Sequence, residues 1–441
     1  MSRRAAPAPP LVLKFGGASL ADPARVVRTV HEARSRGAPV VVVVSAREKV
    51  TDLLLDGIRH PRAVERHRAI VRELRRRHPA LPEGAERHLR RLGELFGDVE
   101  RNAPPDAPLV DRVLSQGERI AAHWATAALR RAGEPGVAVE ADHLGLMTDN
   151  AYGASCIVLD RSRAPVRRGL GRLLARGEVP VVTGFFGRSL EGRVATLGRG
   201  GSDYAAAAIA AILGAPRVEL VKRHVAVLSA DPRDVPGAQA IPELSYEEAE
   251  ELAQFGARVL HPLTIEPARA HGVRITVRSL EDPAVATTIG PTRPGRRNRA
   301  ITALRPLRLF RLRVPGGRQR PGIVAEVAER LRAAGVNVVQ LFTSSALLCL
   351  VLEPGGVGRA LRALTPITSE EAAVLDGPLP VALVTVIGDG VLSDLDRLPA
   401  AAVAGAEGFS ATPRALSIAV REERAKTVVR ALHAALVRGA T

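Results

Sequence analysis

Residues 195–204, ATLGRGGSDY, combine several groups that could bind an anion. Glycines let backbone N–H groups approach an anion closely, and the alanine-rich pattern from Ala205 to Leu213 predicts a helix whose N-terminus adds favourable partial charge. Arg199 could bind a carboxylate or a phosphate through two parallel hydrogen bonds. Asp203 could cap the helix, or hold a metal or another polar group. A glycine-rich turn before a helix is also a common structural feature, so this segment alone leaves its function open.

A second glycine-rich turn lies near the start of the chain. Lys14 is in the apolar segment LVLKF, residues 11–15, which predicts a short strand, and the turn GGAS follows at residues 16–19. Glycine amides can approach a phosphate while a lysine supplies a point charge to a transferring phosphoryl group. The turn is not a P-loop, because the pattern GxxxxGK[ST] is absent. An ordinary turn with a surface lysine is the structural alternative.

Composition limits the class of protein. A chain of 441 residues predicts two or three domains, and 46% hydrophobic residues with only 3% aromatic ones predict cores of Val, Leu, Ile and Ala. No apolar run is long enough to span a membrane, and the N-terminal MSRRAAPAPP lacks the apolar region of a secretory signal. We therefore expect a cytoplasmic protein without a membrane partner. Cys156 and Cys349 are too far apart in sequence to suggest a disulfide framework or a metal cluster.

The net charge of +17 raises the question of nucleic-acid binding. Almost all of the basic residues are arginines spread along the chain, and no set of aromatic residues for base stacking accompanies them. This distribution favours solvated helix faces, so we predict no nucleic-acid partner. The lysines are Lys14, Lys49, Lys222 and Lys426. Because lysine is so scarce, its retention at position 14 is notable.

Strand and helix patterns alternate as far as about residue 277. Continuous apolar runs such as 39–45 predict strands buried on both faces, whereas residues 62–100 are polar, arginine-rich and helical in period. Residues 109–132 form another long helical pattern, which contains SQGER. The alternation predicts an α/β domain with a mostly parallel sheet sandwiched by helices.

The order of predicted strands and helices changes after a segment rich in Gly, Pro and Arg. A strand, a helix and two strands follow, and a comparable pattern returns after Leu379, as in a βαββαβ unit used twice. Such α+β units are typical of regulatory ligand-binding modules. The predicted boundaries are a disordered N-terminus (1–10), the α/β domain (11–286), a linker (287–302) and two small modules (303–378 and 379–441).

Five segments in a fixed order resemble a known family. They read KFGGAS, VVVVSA, LSQGER, GFFGRSLEGRVATLGRGGSD, and LSADPRDVP followed by LSYEEAEELAQFGARVLHP. Together they resemble the aspartate kinase family of the amino acid kinase fold over roughly residues 11–290. The tail resembles the two ferredoxin-like ACT domains of that family. The blocks TLGRGGSD and FGARVLHP are the most specific of the set.

The resemblance implies transfer of a phosphoryl group from ATP to L-aspartate, giving 4-phospho-L-aspartate, with Mg²⁺ bound mainly through ATP oxygens. Positioning of the two substrates and stabilisation of the phosphoryl charge would account for most of the catalysis. Lys14 and Asp203 would be catalytic. Glu118 would bind the substrate ammonium and Arg199 its α-carboxylate. The other residues implied are Ser45 and Ser202 for substrate, and Gly16, Gly17, Ser19, Gly184, Arg233 and Arg258 for nucleotide. No protein metal ligand is implied.

The chain departs from this family mainly at positions that the resemblance implies for nucleotide binding. Ala18 replaces a threonine, Arg258 replaces a lysine, and a glycine expected after Ser45 is missing. Residues 221–226 replace the usual WTDVDG, which puts Lys222 and an arginine where the family has Thr-Asp. We therefore expect a divergent aspartokinase with altered nucleotide affinity or preference. The alternative is a catalytically impaired, amino-acid-sensing regulatory protein, and a kinase for glutamate, acetylglutamate or UMP is less favoured.

Residues 320–341 resemble the core of an ACT domain. Gly322 and Ile323, at the start of the predicted helix, would expose amides to a small carboxylate ligand, and Asn337 would contact its amino group or side chain. Val339 stands where the family usually has an acidic residue. The resemblance implies lysine or threonine as effector and a homodimer formed through the ACT domains. Nothing after the ACT region is long enough for a fused homoserine dehydrogenase, so we expect a monofunctional chain.

Overall fold

The computed structural model describes residues 8–222, 226–256, 260–282, 284–291, 299–313, 322–344, 347–370 and 373–437. The chain forms two compact units. The first takes the described residues of Met1–Val227, Ala240–Glu250 and Val259–Thr292, and the second takes those of Leu228–Gln239, Glu251–Arg258 and Arg293–Thr441. Within the described ranges, no helix is both long enough and apolar enough to cross a membrane.

An eight-stranded sheet forms the centre of the first unit. Its strands are β1 (Leu11–Phe15), β2 (Val40–Val44), β3 (Gly136–Val139), β5 (Val179–Thr183), β8 (Arg217–Lys222), β9 (Glu243–Ser245), β10 (Arg274–Ser279) and β11 (Ala286–Gly290). Their order is β3-β5-β2-β1-β8-β10-β11-β9, and only the β10–β11 pair is antiparallel. Every residue of β1, β2 and β5 is buried, as continuous apolar runs predict for strands covered on both faces. The predicted α/β fold is confirmed.

Helices and a small second sheet surround these strands. The helices are α1 (Pro23–Ser35), α2 (Val50–Arg59), α3 (Val64–Arg77), α4 (Glu83–Arg101), α5 (Ala107–Arg131), α6 (Ala141–Leu144), α7 (Leu159–Ala175), α8 (Gly201–Leu213), α9 (Tyr246–Gln254) and α10 (Pro262–Ala270). The small sheet contains β4 (Met147–Thr148), β6 (Phe186–Ser189) and β7 (Val194–Thr196). α8 packs against β1 and α10, and all of its residues except Leu213 are buried. Its many alanines allow this close approach.

The predicted helical excursion over residues 62–100 is present as α3 and α4. Their apolar faces share one core with α2 and α5, built mainly from leucines and valines such as Leu54, Leu74, Leu92 and Val113. The arginines of α3 lie on the opposite face, where several pair with nearby glutamates, for example Arg76 with Glu73. This is the solvated, charged helix face that the composition favoured.

The second unit is built on a six-stranded antiparallel sheet. Its strands are β12 (Ala300–Arg313), β13 (Val338–Thr343), β14 (Leu347–Leu352), β15 (Val374–Ile387), β16 (Gly408–Ala411) and β17 (Ala415–Arg421), in the order β13-β14-β12-β15-β17-β16. Its helices are α11 (Ile323–Ala333), α12 (Val357–Glu370), α13 (Ala400–Val403) and α14 (Ala425–Leu436). One half of the sheet packs on α11 and α12, and the other on α14. A repeated α+β arrangement is therefore present, as predicted.

Two long central strands differ from the expected boundaries. β12 begins at Ala300, inside the predicted linker 287–302, and it runs through Pro306 although proline cannot donate to a sheet hydrogen bond. The β12–β15 register shifts between Leu304 and Leu307, which accommodates the proline within one strand. β15 likewise runs through residues 378 and 379, and β11 contains residues 287–290 of the predicted linker. The domain limits themselves stay a prediction.

Candidate active site

The carboxyl ends of β1, β2 and β8 meet at one edge of the parallel sheet, where ligands usually bind in such folds. Lys14 lies near the end of β1 and is only 7% exposed. The glycine turn 16–19 follows β1, the loop 45–49 follows β2, and Lys222 ends β8. The amide of Ser45 donates to the carbonyl of Phe15, which holds the loop beside the turn.

Asp203 joins two lysines across the first turn of α8. Its Oδ1 lies 2.6 Å from Lys14 Nζ, and its Oδ2 lies 3.1 Å from Lys222 Nζ. Burial alone would raise the pKa of Asp203, but the two ammonium groups outweigh that effect and lower it to about 2. The carboxylate is thus charged at neutral pH, and one negative charge faces two positive charges.

The turn after β1 is tightly held. A Cβ atom at Gly17 would lie 2.5 Å from the carbonyl oxygen of Ala46 and 2.8 Å from the amide nitrogen of Glu48, so only glycine fits. The hydroxyl of Ser19 is buried and donates to the carbonyl of Val221 at 2.9 Å. Ser19 therefore fixes the turn to β8, because its hydroxyl proton is already used there. A Cβ at Gly16 would lie 3.7 Å from Lys14 Nζ.

Glu118 presents a buried carboxyl group from α5. Its Oε1 accepts a hydrogen bond from the amide of Ala46 at 2.9 Å, and its buried Oε2 has no hydrogen-bond partner among the described residues. Burial raises the pKa of Glu118 to about 8, against the lowering effects of the Ala46 amide and of Lys14. Such an oxygen is suited to bind a cationic ligand group, which would lower the pKa again.

Ser202 and Arg199 lie at the start of α8. Ser202 is buried against Gly184, where a Cβ would approach Ser202 Cβ to 2.7 Å, and the Gly184 amide donates to the carbonyl of Val44. Gly184 thus allows close packing. Arg199 is exposed and has neither a hydrogen bond nor an ion pair within the described part of the chain. Gly200 begins the helix with a φ of 73°.

The comparison with known families decides the identity of this fold. The family model described as Amino acid kinase family matches residues 9–279, which contain β1, β2, β8 and α8. The chain belongs to the amino acid kinase family.

Within the amino acid kinases, the relatives of this chain are aspartokinases, as the sequence motifs indicated. Aspartokinase 2, chloroplastic, of Arabidopsis thaliana is 29% identical over 96% of this chain and 84% of its own length. E. coli aspartokinase III in complex with aspartate and ADP, in the R-state, has a TM-score of 0.80 at 25% identity and covers 97% of this chain and 99% of its own. The same enzyme in complex with lysine and aspartate, in the T-state, has a TM-score of 0.76 at 26% identity, with the same coverage.

The glycine missing after Ser45 has a structural counterpart in this amino acid kinase. Lys49 precedes α2 with a φ of 63°, in the left-handed region that favours glycine. Because a residue with a Cβ is disfavoured in this region, the conformation places strain at Lys49.

Asp111 is a further buried acid that the sequence analysis missed. From α5 it accepts hydrogen bonds from the amide of Thr196 (2.8 Å), the hydroxyl of Thr196 (2.7 Å) and the amide of Gly153 (3.0 Å). It fixes the end of β7, from which the GRGGSD turn departs. Burial raises the pKa of Asp111, although these hydrogen bonds oppose the shift. A carboxylate on the apolar face of the predicted helix was the signal that could have identified it.

Two predicted nucleotide-binding residues, Arg233 and Arg258, are not among the residues described above. Arg233 belongs to the second unit, where its exposed guanidinium pairs with Asp231 at 2.6 Å. The nucleotide role of Arg233 stays a prediction. Arg258 lies outside the described residues, as do residues 223–225 of the altered segment.

The predicted effector residues lie on either side of α11 in the chain. Gly322 precedes α11 with a φ of 88°, and the side chain of Ile323 is buried in the core. Asn337 is exposed and comes one residue before β13. Their contact with an effector stays a prediction.

The first unit contains a second cluster of polar side chains, apart from Lys14, Asp203 and Glu118. Nitrogen and oxygen atoms of His88, His123 and Glu140 lie close enough together to contact one cation. Arg119 nevertheless pairs with both Glu140 and Asp142, and its charge helps to lower the pKa of His88, which burial brings to about 4. Arg119, Glu140 and Asp142 therefore form an ion-pair network beside the two histidines.

Proposed function

We propose that the protein is an aspartate kinase, which transfers the γ-phosphoryl group of ATP to the side-chain carboxylate of L-aspartate. One observation carries this proposal. The Lys14–Asp203 ion pair and the unpartnered oxygen of Glu118 border the same loop, since Ala46 contacts both Glu118 and the space beside Gly17. A phosphate-binding group and an ammonium-binding group thus lie on opposite sides of one short connection.

The substrate would be held by its α-substituents. Glu118 Oε2 is buried and lacks a partner among the described residues, so the substrate ammonium would complete its hydrogen bonding. Arg199 is exposed and available to bind the α-carboxylate. Ser45 and Ser202 flank these groups and would add hydroxyl contacts. The solved E. coli complexes, which contain aspartate, support this substrate for the present chain.

The transfer itself needs no nucleophile from the protein. An oxygen of the aspartate side-chain carboxylate forms a bond to the γ-phosphorus, and the bond from that phosphorus to the bridging oxygen of ADP breaks. Lys14 would stabilise the negative charge on the phosphoryl oxygens, and Asp203 would hold the lysine in place. Gly16 and Gly17 would let backbone amides approach the phosphates.

Magnesium would be bound by the nucleotide. Both oxygens of Asp203 lie beside lysine ammonium groups, and the raised pKa of Glu118 keeps that carboxyl largely protonated in the free protein. Neither of these two carboxyl groups is therefore free to bind Mg²⁺. Mg²⁺ commonly keeps several waters and binds substrate phosphates. We assign it to ATP oxygens, where it would neutralise part of their charge.

Regulation would belong to the second unit. Its repeated α+β sheet is consistent with two ACT domains, for which we propose an amino-acid effector bound near Gly322 and Asn337. Lysine is the first candidate, because the E. coli relative was solved with lysine, and threonine is the second. We also propose a homodimer formed through this unit and a role in the first step of aspartate-family amino acid biosynthesis.

The decisive experiment measures aspartyl phosphate. The purified protein is incubated with L-aspartate and either ATP or GTP, and the acyl phosphate is trapped with hydroxylamine, alone and with lysine or threonine added. We expect product with at least one nucleotide, and none from Lys14→Met. Absence of product with both nucleotides would refute the kinase. ATP·Mg²⁺ binding without turnover would instead favour the regulatory alternative.

A further inference from the structure

Two histidines and one carboxylate converge in the first unit, outside the proposed active site. His88 comes from α4, His123 from α5, and Glu140 from the position directly before α6. One nitrogen or oxygen atom of each side chain lies within 4.8 Å of those of the other two. The imidazole rings of His88 and His123 are 5.3 Å apart between their centroids. Three separate elements thus bring metal-ligand atoms to one point.

The approach of His123 to α4 depends on a glycine. A Cβ atom at Gly84, in the first turn of α4, would lie 2.3 Å from Nδ1 of His123 and 2.6 Å from its Cε1. A larger residue at position 84 would therefore displace the imidazole. His123 is itself partly exposed, so an ion can reach the cluster from solvent.

The two nitrogens of His88 face two hydrogen-bond acceptors. Nδ1 lies 3.3 Å from Oε1 of Gln116, and Nε2 lies 3.1 Å from Oε1 of Glu140. The amide nitrogen of Gln116 donates to the carbonyl of Arg112 at 3.0 Å, which leaves the amide oxygen to face His88. A neutral imidazole carries a single N–H and can satisfy only one of these acceptors. When Nδ1–H donates to Gln116, the lone pair of Nε2 faces the carboxylate of Glu140.

A second proton on His88 would satisfy both acceptors, but the surroundings oppose it. Burial lowers the pKa of His88 to about 4, and the charge of Arg119 adds to this effect. Burial also lowers the pKa of His123 to about 4. Both rings are therefore neutral near pH 7, which is the form of imidazole that binds a metal. A metal ion between Nε2 of His88 and Oε1 of Glu140 would interact favourably with both atoms.

The outer contacts of these side chains are those of a metal-binding set. Metal-ligating histidines usually donate their other N–H to an oxygen, as Nδ1 of His88 does to Gln116 in this tautomer. Ligating carboxylates are in turn held by neighbouring groups, and Arg119 holds Oε2 of Glu140. Arg119 also pairs with Asp142 at 2.6 Å, so its single charge does not cancel both carboxylates. Oε1 of Glu140 is thus positioned to bind a cation.

We propose that His88, His123 and Glu140 form a binding site for one divalent transition-metal ion such as Zn²⁺. Two imidazole nitrogens and one carboxylate oxygen are a known ligand set for Zn²⁺, with water in the fourth position. Mg²⁺ prefers oxygen ligands alone and is a poor match for this set. The ion would link α4, α5 and the start of α6. This site is separate from the Mg²⁺ that we assign to ATP, and it does not depend on the proposed kinase function.

Zinc binding by the full chain tests this site. The protein is treated with a chelator and dialysed, and Zn²⁺ is then titrated in competition with a chromogenic chelator, without nucleotide. The wild type should bind a single tight Zn²⁺ that raises its thermal midpoint, whereas His123→Gln and Glu140→Gln should lose both effects. Gln116→Met should weaken binding by about 10- to 100-fold, because His88 loses the acceptor that orients it. His60→Gln, at the exposed end of α2, is the matched control and should bind Zn²⁺ like the wild type.

X-ray absorption at the zinc edge identifies the ligands of the bound ion. We expect two imidazole nitrogens at about 2.0–2.1 Å together with oxygen ligands. A sulfur ligand at about 2.3 Å would overturn the proposal, because none of the three residues supplies one. Displacement of Zn²⁺ by millimolar Mg²⁺ would overturn it as well, since Mg²⁺ does not compete for imidazole nitrogen.

The variants can also contradict the proposal. It fails if the wild type binds no stoichiometric Zn²⁺, or if His123→Gln binds it equally well. Loss of binding in His143→Gln but not in His123→Gln would move the ion to Glu140, Asp142 and His143, and would refute the proposed ligands. Should Glu140→Gln fail to fold, His123→Gln still decides, since the contacts of His123 are ring packing against His88 and the fit beside Gly84. Zinc binding and aspartyl phosphate production are measured separately, so either proposal can fail alone.

Discussion

Glu118 Oε1 accepts a hydrogen bond from the amide of Ala46 at 2.9 Å, and this contact ties α5 to the loop that follows β2. The same contact leaves the second oxygen of Glu118 buried and unpartnered among the described residues. Because the backbone of Ala46 also lies against Gly17, the proposed ammonium site at Glu118 and the proposed phosphate-binding turn share one support. A substitution at either site should therefore affect ligand binding at the other.

The protonation of Glu118 should make stability depend on pH. The folded pKa of about 8 lies above the ordinary value of 4.5, so the folded protein retains a proton that the unfolded chain loses as pH rises between these values. The stabilising contribution is fully present below the unfolded pKa and is lost as pH rises through the folded pKa. This contribution to the free energy of unfolding amounts to a few kcal/mol between the unfolded and the folded pKa, and Glu118→Gln should remove it.

Urea unfolding at about pH 5.5 and about pH 8 checks this expectation. Relative to the wild type, Glu118→Gln should be more stable at the higher pH than at the lower one. Taking the difference between the two proteins cancels the contribution of buried histidines such as His88, whose lowered pKa acts in the opposite direction. If the free energies of unfolding of Glu118→Gln and the wild type differ by the same amount at both pH values, Glu118 does not titrate in this range.

Removing the shared carboxylate should leave Lys14 without its buried ion-pair partner. Asp203→Asn is expected to lower kcat by at least about 100-fold, because Lys14 loses the group that positions it. It should also reduce the free energy of unfolding by about 3–5 kcal/mol, since breaking a buried ion pair leaves an uncompensated charge. Turnover assays and urea unfolding measure the two effects separately.

A double variant distinguishes charge from packing in the triad of Lys14, Asp203 and Lys222. Asp203→Asn combined with Lys222→Met removes one negative and one positive charge, so it should recover part of the stability that Asp203→Asn loses. The catalytic loss should remain, because Lys14 still lacks its partner. If the two changes destabilise additively, electrostatic coupling between Asp203 and Lys222 is absent.

Gly17 should tolerate no side chain. In Gly17→Ala the new Cβ would lie 2.5 Å from the Ala46 carbonyl oxygen, so the loop must move and carry the Glu118 contact with it. We expect weaker binding of both ATP and L-aspartate, measured by calorimetry. Gly171→Ala in α7, where a Cβ meets no atom within 4 Å, is the control and should bind both normally. Loss of ATP binding alone would contradict the shared support.

Lys49 offers a stabilising substitution. Its φ of 63° is strained for a residue with a Cβ, so Lys49→Gly should raise the free energy of unfolding by about 0.5–1 kcal/mol after the greater freedom of glycine in the unfolded chain is deducted. Lys49→Ala retains the strain and removes the charged side chain. An equal gain in both variants, in thermal or urea unfolding, would show that the charge and not the backbone was responsible.

Local patterns and motif order account for most of what the sequence could predict. The continuous apolar runs of β1 and β2 predicted buried parallel strands, and the order of the motifs predicted the family. The contact of Lys222 with Asp203 could not be predicted, because it joins β8 to α8 through the tertiary packing of the sheet. The early start of β12 was missed because the register shift near Pro306 depends on the partner strand β15.

Both repeats of the second unit share the long strands β12 and β15. The unit therefore cannot be divided at the predicted module boundary after residue 378. Each strand is 14 residues long, and β14 pairs with one part of β12 while β17 pairs with the far part of β15. A gene fragment that stopped at residue 378 would remove the partner of Ala300–Leu304 and leave that edge open to aggregation. The two modules can therefore be expressed, exchanged between proteins or lost only together.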